Sequence, residues 1–262
     1  MEGRKWEDLE INCLVNVLGR VGMESLLMDV PFVCKSWYRA SLEPKCWKEI
    51  VLHGYSSRSN SLWSRFEDEY EIRNFTITKL IKLITNRSNG NCTVFDVSCS
   101  FRDEVLQELA EKCPSLMRLS LRWLTSESFS ILPQLMGKWK LLEYLGFPRS
   151  SYAYKHTRGE INLKFRQILQ EISLNCNKFW GLHLFNDVGG FGEEEISPIV
   201  TYLPKVKYLY LYGMCDEKHL KTILLGCGEL VHLEVGKVGY WAWELDEEMI
   251  KLASHINTFI YK

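Results

Sequence analysis

Val206-Lys207-Tyr208-Leu209-Tyr210-Leu211-Tyr212 is the stretch whose reading decides the fold. Its inner apolar residues occupy the first, fourth and sixth places, and from Lys207 onward the alternation is that of a strand with one buried face. The same spacing, apolar-x-x-apolar-x-apolar, is filled by Cys92, Phe95 and Val97, by Leu116, Leu119 and Leu121, by Leu142, Leu145 and Phe147, and by Phe179, Leu182 and Leu184. Leu230, Leu233 and Val235 continue it, and Ile256, Phe259 and Tyr261 form a weaker copy. Copies begin 24 to 27 residues apart, with one interval of 37. Helix-spaced runs lie between them, such as Val105-Leu106-Leu109-Ala110, Phe165-Ile168-Leu169-Ile172 and Leu220-Ile223-Leu224. A strand-plus-helix unit cannot bury its apolar side alone and becomes stable by stacking on its neighbours. The pattern predicts an α/β fold, a right-handed solenoid whose parallel sheet lines the concave side. The long interval contains residues 149–159, read as an inserted loop of the kind that often binds.

Upstream the periodicity changes. Leu9, Cys13, Leu14, Val17, Leu18 and Val21 recur at helical steps and predict a first helix with these residues inward. Leu26 and Leu27 belong to a second, stopped near Asp29 by Pro31, and a third runs through Phe32, Val33, Cys34, Trp37 and Ala40. Pro44 begins a fourth, with Trp47, Ile50 and Val51 inward. The polar run over 53–61 marks a composition shift. The expected organisation is an all-helical module over 1–52, a linker or transition over 53–75, and six to seven degenerate repeats over 76–262.

Composition narrows the function. Against 33 acidic residues stand 32 basic ones, a formal net charge of -1, which lacks the cationic footprint of non-specific nucleic-acid binding. No apolar run has the length of a membrane span, and the opening Met1–Asp8 is polar where a signal peptide would lead into an apolar core. Nine cysteines, an odd number without a C-x-x-C pair, fit a reducing compartment, so cytoplasm and/or nucleus is the expected location, with neither nucleic acid nor membrane as partner.

Catalytic patterns are weak. His183 and Asp187 have no nucleophile elbow beside them, and the six histidines include no H-E-x-x-H and no zinc spacing. Val188-Gly189-Gly190-Phe191-Gly192 matches no phosphate-binding loop and is read as a flexible turn before a helix that Glu193-Glu194-Glu195 begins. Cys34 lies among apolar neighbours and is read as packed, not as a thiol carrying a substrate. The expectation is a binding protein, not an enzyme, with no metal and no cofactor.

Leu9, Leu14, Val17, Leu18, Val21, Leu26, Leu27, then Val33-Cys34-Lys35-Ser36-Trp37 and Pro44-Lys45-Cys46-Trp47 closely resemble an F-box, and with the repeats the chain resembles plant F-box/LRR-repeat proteins over nearly its whole length. Glu10 departs from the family, which usually has proline there, and the repeats lack a regular Asn ladder: Ser100, Leu124, Ser150, Asp187, Met214 and Val238 fill those places. The resemblance implies a substrate-recognition subunit of an SCF-type ubiquitin ligase, whose F-box docks on a Skp-type adaptor and through it a cullin, while the repeats hold a protein target. An interaction scaffold working outside a cullin ligase is the alternative. On the same resemblance the adaptor would meet Leu9, Leu14, Val17, Leu18, Leu26 and Pro31, with Val33, Trp37 and Trp47 divided between that surface and the F-box core.

Strand alternation places the target site. Residues between the inward ones point to the open face: Arg118, Ser120, Arg122, Tyr144, His183, Phe185, Tyr208, Tyr210, Tyr212, His232 and Glu234, with Trp123 and Arg149 at the rim. Tyrosine and arginine are enriched at binding hot spots, so these residues are expected to contact the target, with Tyr152 and Tyr154 of the insertion folding over it.

Overall fold

A computed structural model describes residues 6, 9–52, 62–73, 75–99, 101–148, 157–236 and 246–261. The chain forms two compact units, 1–116 and 117–262. Arg149, Ser150, Tyr152, Tyr154 and the rest of 149–156, like Ser100 and Val238, fall outside the described residues.

In the first unit, α1 (Ile11–Leu18) begins at Glu10. Where the F-box pattern has proline, the Glu10 carboxylate caps the helix, accepting from the backbone N–H of Asn12 at 2.9 Å and of Cys13 at 3.3 Å. The inner face of α1 is Leu14, Val15 and Leu18; Leu9, Cys13 and Val17 are exposed, which corrects the expected face. Helix α2 (Met23–Met28) follows, with Leu26 and Leu27 buried. The expected third helix is broken: Val30–Phe32 is a 3-10 turn, Cys34 is extended, and α3 is Lys35–Ser41. Cys34 is half-buried, its Sγ 3.1 Å from Ser36 Oγ.

No fourth helix forms after Pro44. A single 3-10 turn, Pro44–Cys46, leads into strand β1 (Glu49–Leu52). The physical reason is legible afterwards, since Trp47-x-x-Ile50-x-Leu52 has the spacing of the repeats, and all three side chains are fully buried. Strand β1 pairs in parallel with β2 (Val94–Val97), Ile50 beside Phe95 and Leu52 beside Val97. The Lys48 carbonyl accepts from both Thr93 and Val94 N–H.

Part of the stretch read as a linker is ordered. Helix α4 (Leu62–Glu69) packs on α2, with Arg65 on Asp29 at 2.8 Å, while Phe66 stacks on Tyr70 and Phe75. Tyr70 then donates its hydroxyl to the Leu27 carbonyl at 2.6 Å. Helices α5 (Ile77–Ser88) and α6 (Asp103–Lys112) complete this unit. Compactness therefore divides the chain after Leu116, downstream of the composition shift.

The second unit carries strands β3 (Arg118–Leu121), β4 (Tyr144–Pro148), β5 (Gly181–Phe191), β6 (Tyr208–Cys215), β7 (His232–Gly236) and β8 (Thr258–Tyr261), each paired in parallel with the next. Between them run α7 (Ser126–Met136), α8 (Arg158–Asn175), α9 (Glu193–Tyr202), α10 (Glu217–Gly226) and α11 (Glu247–Leu252). Four copies open alike: the residue after the first apolar position accepts two N–H groups from the next strand, as Met117 O does from Glu143 and Tyr144, Glu143 O from Trp180 and Gly181, Trp180 O from Lys207 and Tyr208, and Lys207 O from Val231 and His232, whereas Val231 O accepts from Thr258. Stacked apolar rows, Leu119–Leu145–Leu182–Leu209–Leu233 and Leu121–Phe147–Leu184–Leu211–Val235, are at most 1% exposed and form the core. Cys176 and Cys227 close α8 and α10, and both are buried.

The glycine-rich run is not a turn. Val188–Phe191 continues β5 beyond a register shift, placing Gly190 against Met214 and Phe191 against Cys215. A Cβ at Gly190 would come within 2.7 Å of the Met214 carbonyl oxygen, so the glycine permits this approach. The triple glutamate does begin α9, and Glu195 Oε2 accepts from Gly192 N–H at 3.0 Å. Among the described residues no helix is long and apolar enough to cross a membrane.

Candidate functional site

Pleating of the second sheet aligns its open-face residues in rows across the strands. One row is Arg118, Tyr144, Gly181, Tyr208 and His232; the next is Ser120, Gly146, His183, Tyr210 and Glu234; a third joins Phe185, Tyr212 and Gly236. Glycines at 146 and 181 leave space that their aromatic neighbours use. A Cβ at Gly181 would meet Tyr144 Cδ2 at 2.6 Å, so the Tyr144 ring lies across this glycine.

The rings form a continuous array. Tyr144 Oη is 3.2 Å from His183 Nδ1, and the His183 ring centroid is 3.9 Å from that of Phe185 and 5.2 Å from that of Tyr210. His232 stacks on Tyr208 and lies 4.7 Å from Tyr210. Guanidinium groups cover the array at β3: Arg118 sits 5.3 Å from the Tyr144 centroid and Arg122 5.5 Å from that of Phe185, both in cation–π range. Burial, reinforced by the Glu234 carboxylate and by Tyr208, holds the Tyr210 phenol above its ordinary pKa despite the opposing pull of Arg118, so it remains a neutral hydroxyl.

A cavity of about 490 Å³ opens on this face, lined by Arg122, Trp123, His183, Phe185, Tyr210, Tyr212 and Glu234. Its volume is that of sites for small ligands or buried side chains, about 300–1,000 Å³. Arg118, Tyr144, Tyr208 and His232 lie on the same face outside it, and Trp123 is about half exposed. Sequence reasoning passed over Trp180, which links Tyr144 and Tyr208 at ring distances of 5.6 and 5.1 Å and donates Nε1 to Glu143 at 3.3 Å. Its place directly after Phe179, the first apolar position of its repeat, was the available signal. Asn186 is another such residue: it is buried and donates Nδ2 to the Gly190 carbonyl at 2.8 Å, one place before the position where a ladder residue was sought. Among the described residues no group of His, Cys, Asp and Glu is placed to hold a metal ion.

The residues that the F-box resemblance assigns to an adaptor divide by burial. Leu14, Leu18, Leu26 and Trp47 are at most 1% exposed and belong to the core of the first unit, which corrects the reading of the three leucines as contact residues and puts Trp47 on the core side of its expected division. Leu9, Val17 and Val33 are exposed, together with Ile11, Phe32 and Tyr38, while Pro31 and Trp37 are half-buried. Six exposed large apolar side chains on α1, the 3-10 turn and α3 are more than isolated surface residues explain.

These features define a repeat protein whose open sheet face carries an aromatic array and a cavity, preceded by a small helical unit with apolar residues left in water. No family model matches the chain. An F-box/LRR-repeat protein of Arabidopsis thaliana is 26% identical over 257 residues, 94% of this chain and 77% of the relative. F-box protein FBW2 of the same plant is 26% identical, covering 95% and 73%, and F-box protein SKIP1 is 28% identical, covering 89% and 79%. A further F-box/LRR-repeat protein from this plant is 23% identical, with 48% of its own length covered. A chain of the yeast Rad7 and Elc1 complex aligns at a TM-score of 0.49 and 14% identity, over 76% of this chain and 52% of that one. Over most of its length the chain is thus similar to plant F-box/LRR-repeat proteins.

Proposed function

We propose that this protein is a non-catalytic substrate receptor of an SCF-type ubiquitin ligase. The F-box docks on a Skp-type adaptor and through it a cullin, and the open sheet face of the repeats holds a protein target. Acceleration in such an assembly comes from tethering, which raises the effective concentration of target lysines beside the ubiquitin-charged enzyme.

The observation that carries the reading is the set of exposed apolar side chains, Leu9, Ile11, Val17, Phe32, Val33 and Tyr38, on an F-box whose core is complete without them. Covering one large apolar side chain contributes about 1.5–3 kcal/mol, so a few of them support a stable complex. The test is co-purification of the full chain with a plant Skp-type adaptor and cullin. Wild type should retain both, and Val17→Asp with Val33→Asp should lose both while melting at an unchanged temperature. Retention of the adaptor without the cullin would favour a scaffold outside the ligase, and retention of neither by wild type would end the assignment.

A further inference from the structure

Charges on the open sheet face are segregated. At the β3 side, Arg118 and Arg122 lie over aromatic rings and form no ion pair among the described residues. On β7 stands Glu234, its side chain 44% exposed, with His232 Nε2 at 3.8 Å, beyond hydrogen-bond distance. The cavity lies between Arg122 and Glu234, walled by Trp123, Phe185, Tyr210 and Tyr212. A guanidinium resting on a ring keeps its edge donors available, and their fork matches a carboxylate. A partner that leaves such a group unpaired on docking would forgo its strongest contacts.

Resting on the receptor reading above, we propose that this face binds an extended target segment in which an acidic and a basic side chain stand four residues apart, with an aromatic or aliphatic side chain midway between them. The spacing follows from the sheet. The Arg122 guanidinium lies over Phe185 on β5, and Glu234 is two strands away on β7. Strands are about 4.8 Å apart, and Glu234 lies one row, about 6.6 Å, along the strands from the Phe185–Tyr212–Gly236 row, so the two charges are separated by about 12 Å; an extended chain covers that in about four residues at ~3.3 Å each, and residues i, i+2 and i+4 share one face. The segment crosses the strands, with its acidic residue at Arg122 and its basic residue at Glu234. The intervening side chain enters the cavity and packs on Phe185, Tyr210 and Tyr212. A helix would bring charges to this separation at a spacing of about eight residues, so spacing separates the two geometries.

The experiment is fluorescence anisotropy of the full chain with labelled synthetic peptides. The probe is Gly-Ser-Asp-Gly-Phe-Gly-Lys-Ser-Gly. Comparison peptides carry Asn and Gln in place of the charges, an eight-residue separation, two lysines, or two aspartates. The Asp/Lys peptide should bind at least tenfold tighter than the neutral and long-spaced ones. Arg122→Glu should transfer the preference to the two-lysine peptide and Glu234→Arg to the two-aspartate peptide, with melting unchanged in both. Equal binding of the neutral peptide, tighter binding at eight-residue spacing, preferences untouched by either reversal, or no binding of the Asp/Lys peptide would each overturn the proposal. Adaptor capture by the same preparations is read separately: loss of peptide preference with adaptor capture intact removes this charge pattern and leaves the receptor reading standing, whereas charge-paired binding without adaptor capture does the reverse.

Discussion

The indole Nε1 of Trp47 donates to the carbonyl oxygen of Ser41 at 2.7 Å, and both residues are fully buried. This bond ties the end of α3 to the first strand of the chain, where the helical module gives way to the repeat pattern. On its other side the Trp47 ring carries the Arg87 guanidinium of α5, 5.0 Å from the ring centroid. Trp47 is thus a joint within the first unit, which is why an F-box signature residue here serves the core.

Trp47→Phe should destabilise the first unit by about 1–3 kcal/mol, because it leaves the Ser41 carbonyl buried and unpaired. Trp47→Ala should cost about 3–5 kcal/mol through the cavity as well. Urea denaturation measures both, and adaptor capture should fall only in proportion to the unfolded fraction. A folded Trp47→Ala variant that cannot bind adaptor would return this residue to the contact surface.

Leu14 and Val17 are three residues apart on α1 and should respond oppositely. Leu14→Ala removes a fully buried side chain and should lower stability by about 2–5 kcal/mol. Val17→Ala removes an exposed one and should change stability by less than about 0.5 kcal/mol. Thermal melts of the two single variants, without any partner present, decide the matter.

Gly226 ends α10 where that helix meets α9, and a Cβ there would lie 2.1 Å from Val200 Cγ1. Gly226→Ala should therefore destabilise the second unit by about 1–3 kcal/mol, the usual cost of overpacking. Val200→Ala in the same chain should restore part of the loss. A double-mutant cycle measures the coupling, and strictly additive effects would show that the helices separate freely.

Burial holds several thiols protonated: Cys46, Cys99 and Cys176 are pushed up from 9.0 to about 11, and Cys215 and Cys227 to about 12. The unfolded chain releases these protons from about pH 9 while the folded chain retains them, so stability should be constant below that pH and decline as pH rises through the folded values. Denaturation midpoints between pH 7 and 10.5 check the direction. At pH 8, iodoacetamide should modify exposed Cys13 first and the buried thiols only in denaturant.

Repetition made the second unit legible. Apolar-x-x-apolar-x-apolar, repeated at a near-constant interval, assigns every strand residue to a face because side chains alternate with a period of two. Tyr208, Tyr210 and Tyr212 were therefore bound to share the open face once Leu209 and Leu211 were core. Composition likewise carried the helix start at Glu193, where acidic side chains suit the first turn.

Other features depended on packing. On α1, Val15 and Val17 flank the Leu14–Leu18 stripe at about 80° on either side, at 3.6 residues per turn, so periodicity treats them alike. Tertiary contacts turn Val15 inward and leave Val17 in water. Trp47, Ile50 and Val51 have the spacing of a helix after Pro44, and Trp47, Ile50 and Leu52 that of a strand. Pairing with Val94–Val97 makes it a strand, since the backbone groups of Lys48 and its successors find their partners there. The cavity has the same origin. Each residue lining it could be assigned to a face from its own strand, but the placement of Arg122 over Phe185, two strands away, is a contact among distant segments that local periodicity does not encode.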